Sequence, residues 1–222
     1  MPRRPAWTGT HVFHVMNRAA RRLRLFDEDR DYQLFLICLS HGLDEVPVRL
    51  LAYCVMPNHF HLVVWPTESG QLGRFMQSVT ATHSQRWHRV RGSVGTGCVY
   101  QGRYRAVPVQ QDEHFVKTCR YVERNALRAK LVGRAEDWPW SSLSQRCRNS
   151  SAPLLTPWPI PQPANWLALV NESEPDRDAD AVRFATKRGV GFGSEAWQKT
   201  TPGALRPRGR PRAQKGVGTI FT

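Results

Sequence analysis

A chain of 222 residues with 41% hydrophobic side chains can build one ordinary domain with an appendage, or two small domains, and bury a real core. Its formal net charge of +14 draws it to polyanions by counterion release, which makes nucleic acid the first partner to consider and an anionic membrane surface the second. No stretch approaches the roughly 18 apolar residues of a membrane span, the start Met1-Pro2-Arg3-Arg4-Pro5 has no apolar signal core, and the five cysteines include no Cys-x-x-Cys pair. A cytoplasmic, nucleoid-associated protein is expected, without a membrane partner, a disulfide framework or a zinc ribbon.

Residues 1 to 10 read as a basic lead-in. His11 to Met16 has the character of a strand ending at Asn17-Arg18, and Arg18 to Arg24 carries four arginines outside any apolar pattern. Asp27-Glu28-Asp29 opens a helix, since acidic residues suit its N-terminal dipole, and Tyr32, Phe35, Leu36, Leu39 and Leu43 follow at helical spacing. Val48 to Val55 reads as a second strand, turned by Pro57-Asn58 into a third that starts at His59 and runs through Leu62-Val63-Val64-Trp65. Gly70 to Val90 is a long helix with Leu72, Phe75, Met76, Val79 and His83 on one face. A glycine-rich loop precedes a strand over Val99 to Val109, and Gln111 to Arg128 has one continuous helical pattern.

Strand, helix, hairpin, helix, strand, helix is an α+β order, consistent with an antiparallel sheet carrying helices on one side. Order and composition divide the chain into three regions: an α+β unit over 1–148, a Pro-rich linker or packing arm over 149–170, and a basic extension over 171–222 suited to DNA. Five of the eleven residues from Pro153 to Pro163 are proline. A short helix is expected near 178–187 and another through Trp197.

The chemistry concentrates in two places. On a strand, residues i and i+2 share a face, so His59 and His61 project together while Phe60 enters the core. Two neutral imidazoles on one face can hold a divalent ion and leave its other positions open. The competing reading is one turn-capping and one exposed histidine. On the last helix Tyr121 and Asn125 are four residues apart and lie on one face. If that helix packs beside the histidine strand, Asn125 becomes a third metal ligand and Tyr121 a nucleophile.

A phenol titrates near pH 10, so roughly one in a thousand is ionised at neutral pH. A divalent cation and the flanking Arg120 and Arg124 would favour the phenolate. Taken alone, a tyrosine on an amphipathic helix is more often core or rim than nucleophile. Arg86, Arg89 and Arg91 at one helix end, with Arg103 and Arg105 on the last strand, are candidate phosphate contacts. In the tail, Arg206, Arg208, Arg210 and Arg212 surround an Arg-Gly-Arg-Pro core that matches a minor-groove hook, against the alternative of a solvated basic tail.

His59-Phe60-His61 after Met56-Pro57-Asn58, followed by Cys119 to Ala129 around Tyr121 and Asn125, resembles the REP-associated tyrosine transposases. These are relatives of the single-strand transposases of small bacterial insertion sequences, in the HUH endonuclease superfamily. The likeness runs from about His11 to Leu143. The resemblance implies a ferredoxin-like antiparallel domain and a Mg²⁺- or Mn²⁺-dependent cut-and-join reaction on single-stranded or hairpin DNA of the repetitive extragenic palindrome type. It assigns His59, His61 and Asn125 to the metal and Tyr121 to the nucleophile. Flanking duplex DNA and a homodimer are further partners it brings into view. One departure is Asn125-Ala126, where many relatives carry Asn-Pro. Two other classes of function stay open: a repeat-DNA-binding architectural or regulatory protein without catalysis, and a metal-dependent hydrolase of small phosphoesters.

Overall fold

The computed structural model describes residues 11–148, 155–173 and 176–201. The hook arginines 206–212 and the lead-in 1–10 lie outside the described residues. At the centre is a four-stranded antiparallel sheet in the order β2-β3-β1-β4, from β1 (Val12–Arg18), β2 (Val48–Met56), β3 (His59–Pro66) and β4 (Arg105–Val109). With α1 (Asp29–Glu45) following β1 and α2 (Gln71–Val90) following β3, this is the ferredoxin-like arrangement that the resemblance implied.

Strand alternation divides the sheet into two faces. Phe13 and Val15 of β1, with Phe60, Leu62 and Val64 of β3, join one buried cluster with Phe35 and Leu39 of α1 and Phe75, Met76 and Val79 of α2. The intervening residues His14, His59, His61 and Val63 turn to the opposite face. Gly42 lets α1 and α2 come together, because a Cβ there would sit 2.6 Å from Val79 Cγ2. Asp31 secures the start of α1 by accepting the backbone N–H groups of Asp27 (2.9 Å) and Glu28 (3.3 Å).

Pro57-Asn58 closes the β2–β3 hairpin with Met56 opposite His59. The turn is braced from behind. Leu25 N–H (2.8 Å) and Phe26 N–H (3.2 Å) donate to the Pro57 carbonyl, and Ala19 N–H donates to that of Asn58 (2.9 Å). The segment after β1 therefore holds the turn that carries His59.

Three expectations need correction. The final strand is shorter than Val99 to Val109: Tyr100 only bridges Ala19, Gly102 takes a φ of +106°, and regular pairing begins at Arg105. The last helix is not continuous, since α3 (Glu113–Glu123) and α4 (Asn125–Arg128) are separated at Arg124. Finally, the helices are not confined to one side. α3 packs against β2, β3 and β4 on the face opposite α1 and α2, where Phe115, Cys119 and Val122 join Val12 and Val63 in a second core.

The rest of the described chain covers this second face and both sheet edges. α5 (Ser142–Cys147) leads to an extended arm whose Thr156 N–H reaches the Leu50 carbonyl (2.9 Å) and whose Trp158 Nε1 reaches that of Leu51 (3.0 Å), on edge strand β2. After α6 (Trp166–Asn171) and α7 (Asp176–Arg188), Phe192 exchanges backbone bonds with Pro108 and Gln110 at the β4 edge (both 2.9 Å). Covering the edges removes unpaired backbone groups that would otherwise template aggregation. α8 (Glu195–Thr200) ends the described chain. Among the described residues no helix is long and apolar enough to cross a membrane.

Candidate active site

His59 and His61 emerge from β3 on the second face, with ring centroids 5.1 Å apart. α3 lies over them, as the sequence argument required, and its Tyr121 ring meets His61 edge-on at 5.7 Å. A third imidazole, His14 of β1, stands 5.9 Å from Tyr121 and stacks on His61 at 5.1 Å. Tyr121 is 7% exposed.

The imidazoles are held neutral. Burial, assisted by Arg128, lowers the His14 pKa to about 4. Burial, with Arg18 and Arg128 nearby, does the same for His59, and burial beside the other two histidines takes His61 well below its ordinary value. Neutral rings have lone pairs to offer a metal. His59 Nδ1 donates to Asn58 Oδ1 at 2.7 Å, which leaves Nε2 as its bare nitrogen. His14 is no third ligand, since Nε2 bonds His61 (2.9 Å) and Nδ1 bonds Thr186 (3.1 Å). Among the described residues no three His, Cys, Asp or Glu side chains are placed to share an ion.

Asn125 lies just past the helix break, 7% exposed, its Nδ2 buried without a partner among the described residues. A buried carboxamide left unsatisfied is costly unless a ligand completes it, and rotation of the amide can present oxygen in place of nitrogen. Two neutral imidazoles and an unpaired carboxamide therefore fit a divalent cation that also takes water or phosphate oxygens. Ala126, where relatives carry proline, gives its backbone N–H to the Cys54 sulfur, a bond a proline could not make.

The arginines are allocated differently from the sequence expectation. Arg120 and Arg124 flank Tyr121 in sequence but lie elsewhere around the helix. They donate to carbonyls at the C-terminal end of α6: Arg120 to Glu172 and Ser173 (3.2 and 3.4 Å), Arg124 to Val170 (2.5 Å). Guanidinium groups suit that negative helix end. The cations at Tyr121 are Arg128 and Arg183. Arg128 lies over the ring at 4.0 Å and donates to the Tyr121 carbonyl at 3.4 Å. Arg183 of α7 hydrogen-bonds the Tyr121 side chain. Although burial opposes its charge, that bond and its Asp180 partner leave its pKa raised.

Of the candidate phosphate contacts, Arg89, Arg103 and Arg105 are exposed and Arg86 is half-buried. Arg91 is engaged within the fold, paired with Asp31 at 2.8 Å and with Asp27 at 3.4 Å and lying over Trp87. Arg105 also donates to the Lys187 carbonyl (3.3 Å).

Sequence reasoning passed over five participants, among them Arg128, which follows Tyr121 by seven residues, two helical turns. A histidine at an alternating position of a strand could have flagged His14, and a lone acid in an apolar helix stripe could have flagged Glu123. Glu123 is fully buried and collects Ser142 Oγ (2.5 Å), Arg146 (2.6 Å) and Trp166 Nε1 (2.7 Å), tying α3 to α5 and α6. Arg183 and Thr186 had no local signal.

A ferredoxin-like sheet that gathers imidazoles beneath a helical tyrosine defines an α+β domain of the tyrosine-transposase type. The chain belongs to the family described as "Transposase IS200 like", whose family profile matches residues 8–125, a range that includes His59, His61, Tyr121 and Asn125. Membership makes it a transposase-type enzyme with DNA as its partner. Among solved structures it is similar to a REP-associated tyrosine transposase bound to a REP hairpin, at 19% identity and a TM-score of 0.51, over 73% of this chain and 92% of the other. That likeness supports the fold. A Deinococcus radiodurans R1 protein assigned as a transposase is more distant, at 14% identity and a TM-score of 0.40, over 67% of this chain and 97% of the other. No curated protein matches the chain by sequence.

Proposed function

We propose that the protein is a metal-dependent endonuclease and strand transferase for single-stranded DNA, acting on hairpins through a covalent phosphotyrosine. The observation that carries this reading is Tyr121, set edge-on to His61 beneath Arg128, with Arg183 bonded to its side chain. In the proposed step the Tyr121 oxygen loses its proton to solvent and attacks a backbone phosphorus. One phosphorus–oxygen bond forms as another breaks, releasing a free hydroxyl on the departing strand. The ester bond is conserved in the adduct, so a second strand's hydroxyl can reverse the step without ATP. Arg183 and Arg128 place positive charge where the phosphate gains negative charge.

His59, His61 and Asn125 would hold Mg²⁺ or Mn²⁺, which when bound polarises a phosphate oxygen. Two nitrogen ligands favour Mn²⁺. Arg86, Arg89, Arg103 and Arg105 position the DNA backbone without reading it, and Arg206, Arg208, Arg210 and Arg212 add affinity for flanking duplex. Because the similar solved protein was captured with a REP hairpin, repeat hairpins are the first substrates to test.

A second reading is a repeat-DNA-binding protein without catalysis, favoured by the near-complete burial of Tyr121. One experiment separates the two. The protein is incubated with Mn²⁺ and labelled single-stranded hairpins from repeats near its own gene and run on a denaturing gel. A DNA-linked band that disappears with Tyr121→Phe or chelator establishes the nuclease. Tight, salt-sensitive binding with no adduct establishes the binding module.

A further inference from the structure

The cluster contains a chain of hydrogen bonds whose direction is set from one end. Thr186 Oγ1 donates its only proton to the Val182 carbonyl one turn back in α7 (2.8 Å). Toward His14 Nδ1, 3.1 Å away, it can therefore only accept, so His14 carries its proton on Nδ1. His14 is 1% exposed, where an imidazolium without an acidic partner would be costly. A neutral His14 protonated on Nδ1 has a bare Nε2, which must accept from His61 Nδ1 at 2.9 Å. His61 then holds its proton on Nδ1 and its lone pair on Nε2.

We propose that Thr186 and His14 are positioning residues: α7 fixes, through His14, the tautomer of His61 and so presents its Nε2 lone pair to the metal. This rests on the metal-dependent reading above and deepens it. Asn58 does the same for His59 from the hairpin turn, so both imidazoles offer the same ring nitrogen. Metal-ligating histidines usually have the second nitrogen committed in this way, and losing such a partner typically weakens the metal by roughly 10- to 100-fold. Here the commitment comes from a helix whose Thr186 lies 172 residues beyond His14 in sequence, outside the 8–125 family match. The segment expected as a DNA-binding extension thus contributes to the nuclease site itself.

The test uses full-length, metal-free, ¹⁵N-labelled protein. Two-bond ¹H–¹⁵N correlation of the imidazoles, with His61 assigned by loss of its signals in His61→Gln, reads the tautomer. Calorimetric titration with Mn²⁺ reads the affinity. Wild type and Thr186→Ser should both show His61 protonated on Nδ1. Thr186→Val, with its fold checked by the backbone amide spectrum, should lose that tautomer and bind Mn²⁺ roughly 10- to 100-fold more weakly. A wild-type His61 protonated on Nε2, or a folded Thr186→Val with unchanged tautomer and affinity, overturns the relay. Wild type with the Nδ1–H tautomer but no Mn²⁺ binding upholds the hydrogen-bond chain and overturns the metal reading.

Discussion

The two faces of the sheet are built from the same strands and do opposite work. Toward α1 and α2 the alternating residues are Phe13, Val15, Phe60, Leu62 and Val64, all essentially buried among apolar neighbours. Toward α3 and α7 the residues between them include His14, His59 and His61, and the helical segments packed on that side add the buried Glu123 and Asn125. The first face gains its stability from apolar area removed from water. The second gives up part of that gain to keep polar groups dry, and satisfies most of them with named partners. Three buried atoms on the helices of that side lack a partner among the described residues, Arg120 Nε, Ser144 Oγ and Asn125 Nδ2, and of these Asn125 is the residue expected to meet a metal.

The sharpest test of this division is a pair of substitutions, one on each face. Tyr121→Phe should abolish the covalent DNA adduct by several orders of magnitude, as expected when a nucleophile is removed, while the urea midpoint barely moves. Phe60→Ala, on the strand between the two histidines but pointing the other way, should cost about 3–5 kcal/mol of unfolding free energy by urea denaturation. A Tyr121→Phe protein that loses as much stability as Phe60→Ala would erase the distinction between the faces.

Acid blurs the comparison in a predictable way, because the core face also holds a histidine. His83 donates to or accepts from Tyr100 Oη at 2.7 Å, and burial lowers its pKa to about 4. Between pH 6.5 and 4 the unfolded chain takes up protons that folded His83, His14 and His59 refuse. Stability is therefore intact above pH 6.5 and falls as pH drops through that window, by roughly 3 kcal/mol for His83 alone. Urea midpoints measured at intervals from pH 7 to 4 should decline steadily, and a flat profile would mean that these histidines are not sequestered. The smallest expected effect belongs to Arg183→Gln. It should slow adduct formation about tenfold, the scale of one charge-assisted hydrogen bond, while the half-exposed side chain shifts the urea midpoint little. An unchanged adduct rate would remove Arg183 from the site.

Much of this arrangement is written in local sequence patterns. The placement of Phe60 in the core with His59 and His61 opposite followed from strand alternation, and the buried faces of α1 and α2 from helical spacing. The arginines were less legible. Arg120 adjoins Tyr121 but points about 100° away around the helix, and Arg124 falls at the break between α3 and α4, so both serve the end of α6. Arg91, at the end of α2, is paired with Asp31 at the start of α1, a partner 60 residues away.

By itself the sequence determined the order of the four strands and of the two long helices between them, which face the residues of β3 take, the pairing of His59 with His61, and a charge suited to DNA. These depend on local periodicity and composition, which a chain carries before it folds. Only the tertiary structure decided that α3 lies over the histidines, that Arg128 and Arg183 serve Tyr121, and that Thr186 reaches His14. Those contacts arise from packing between distant segments, where shape and burial select partners that no spacing in the sequence encodes.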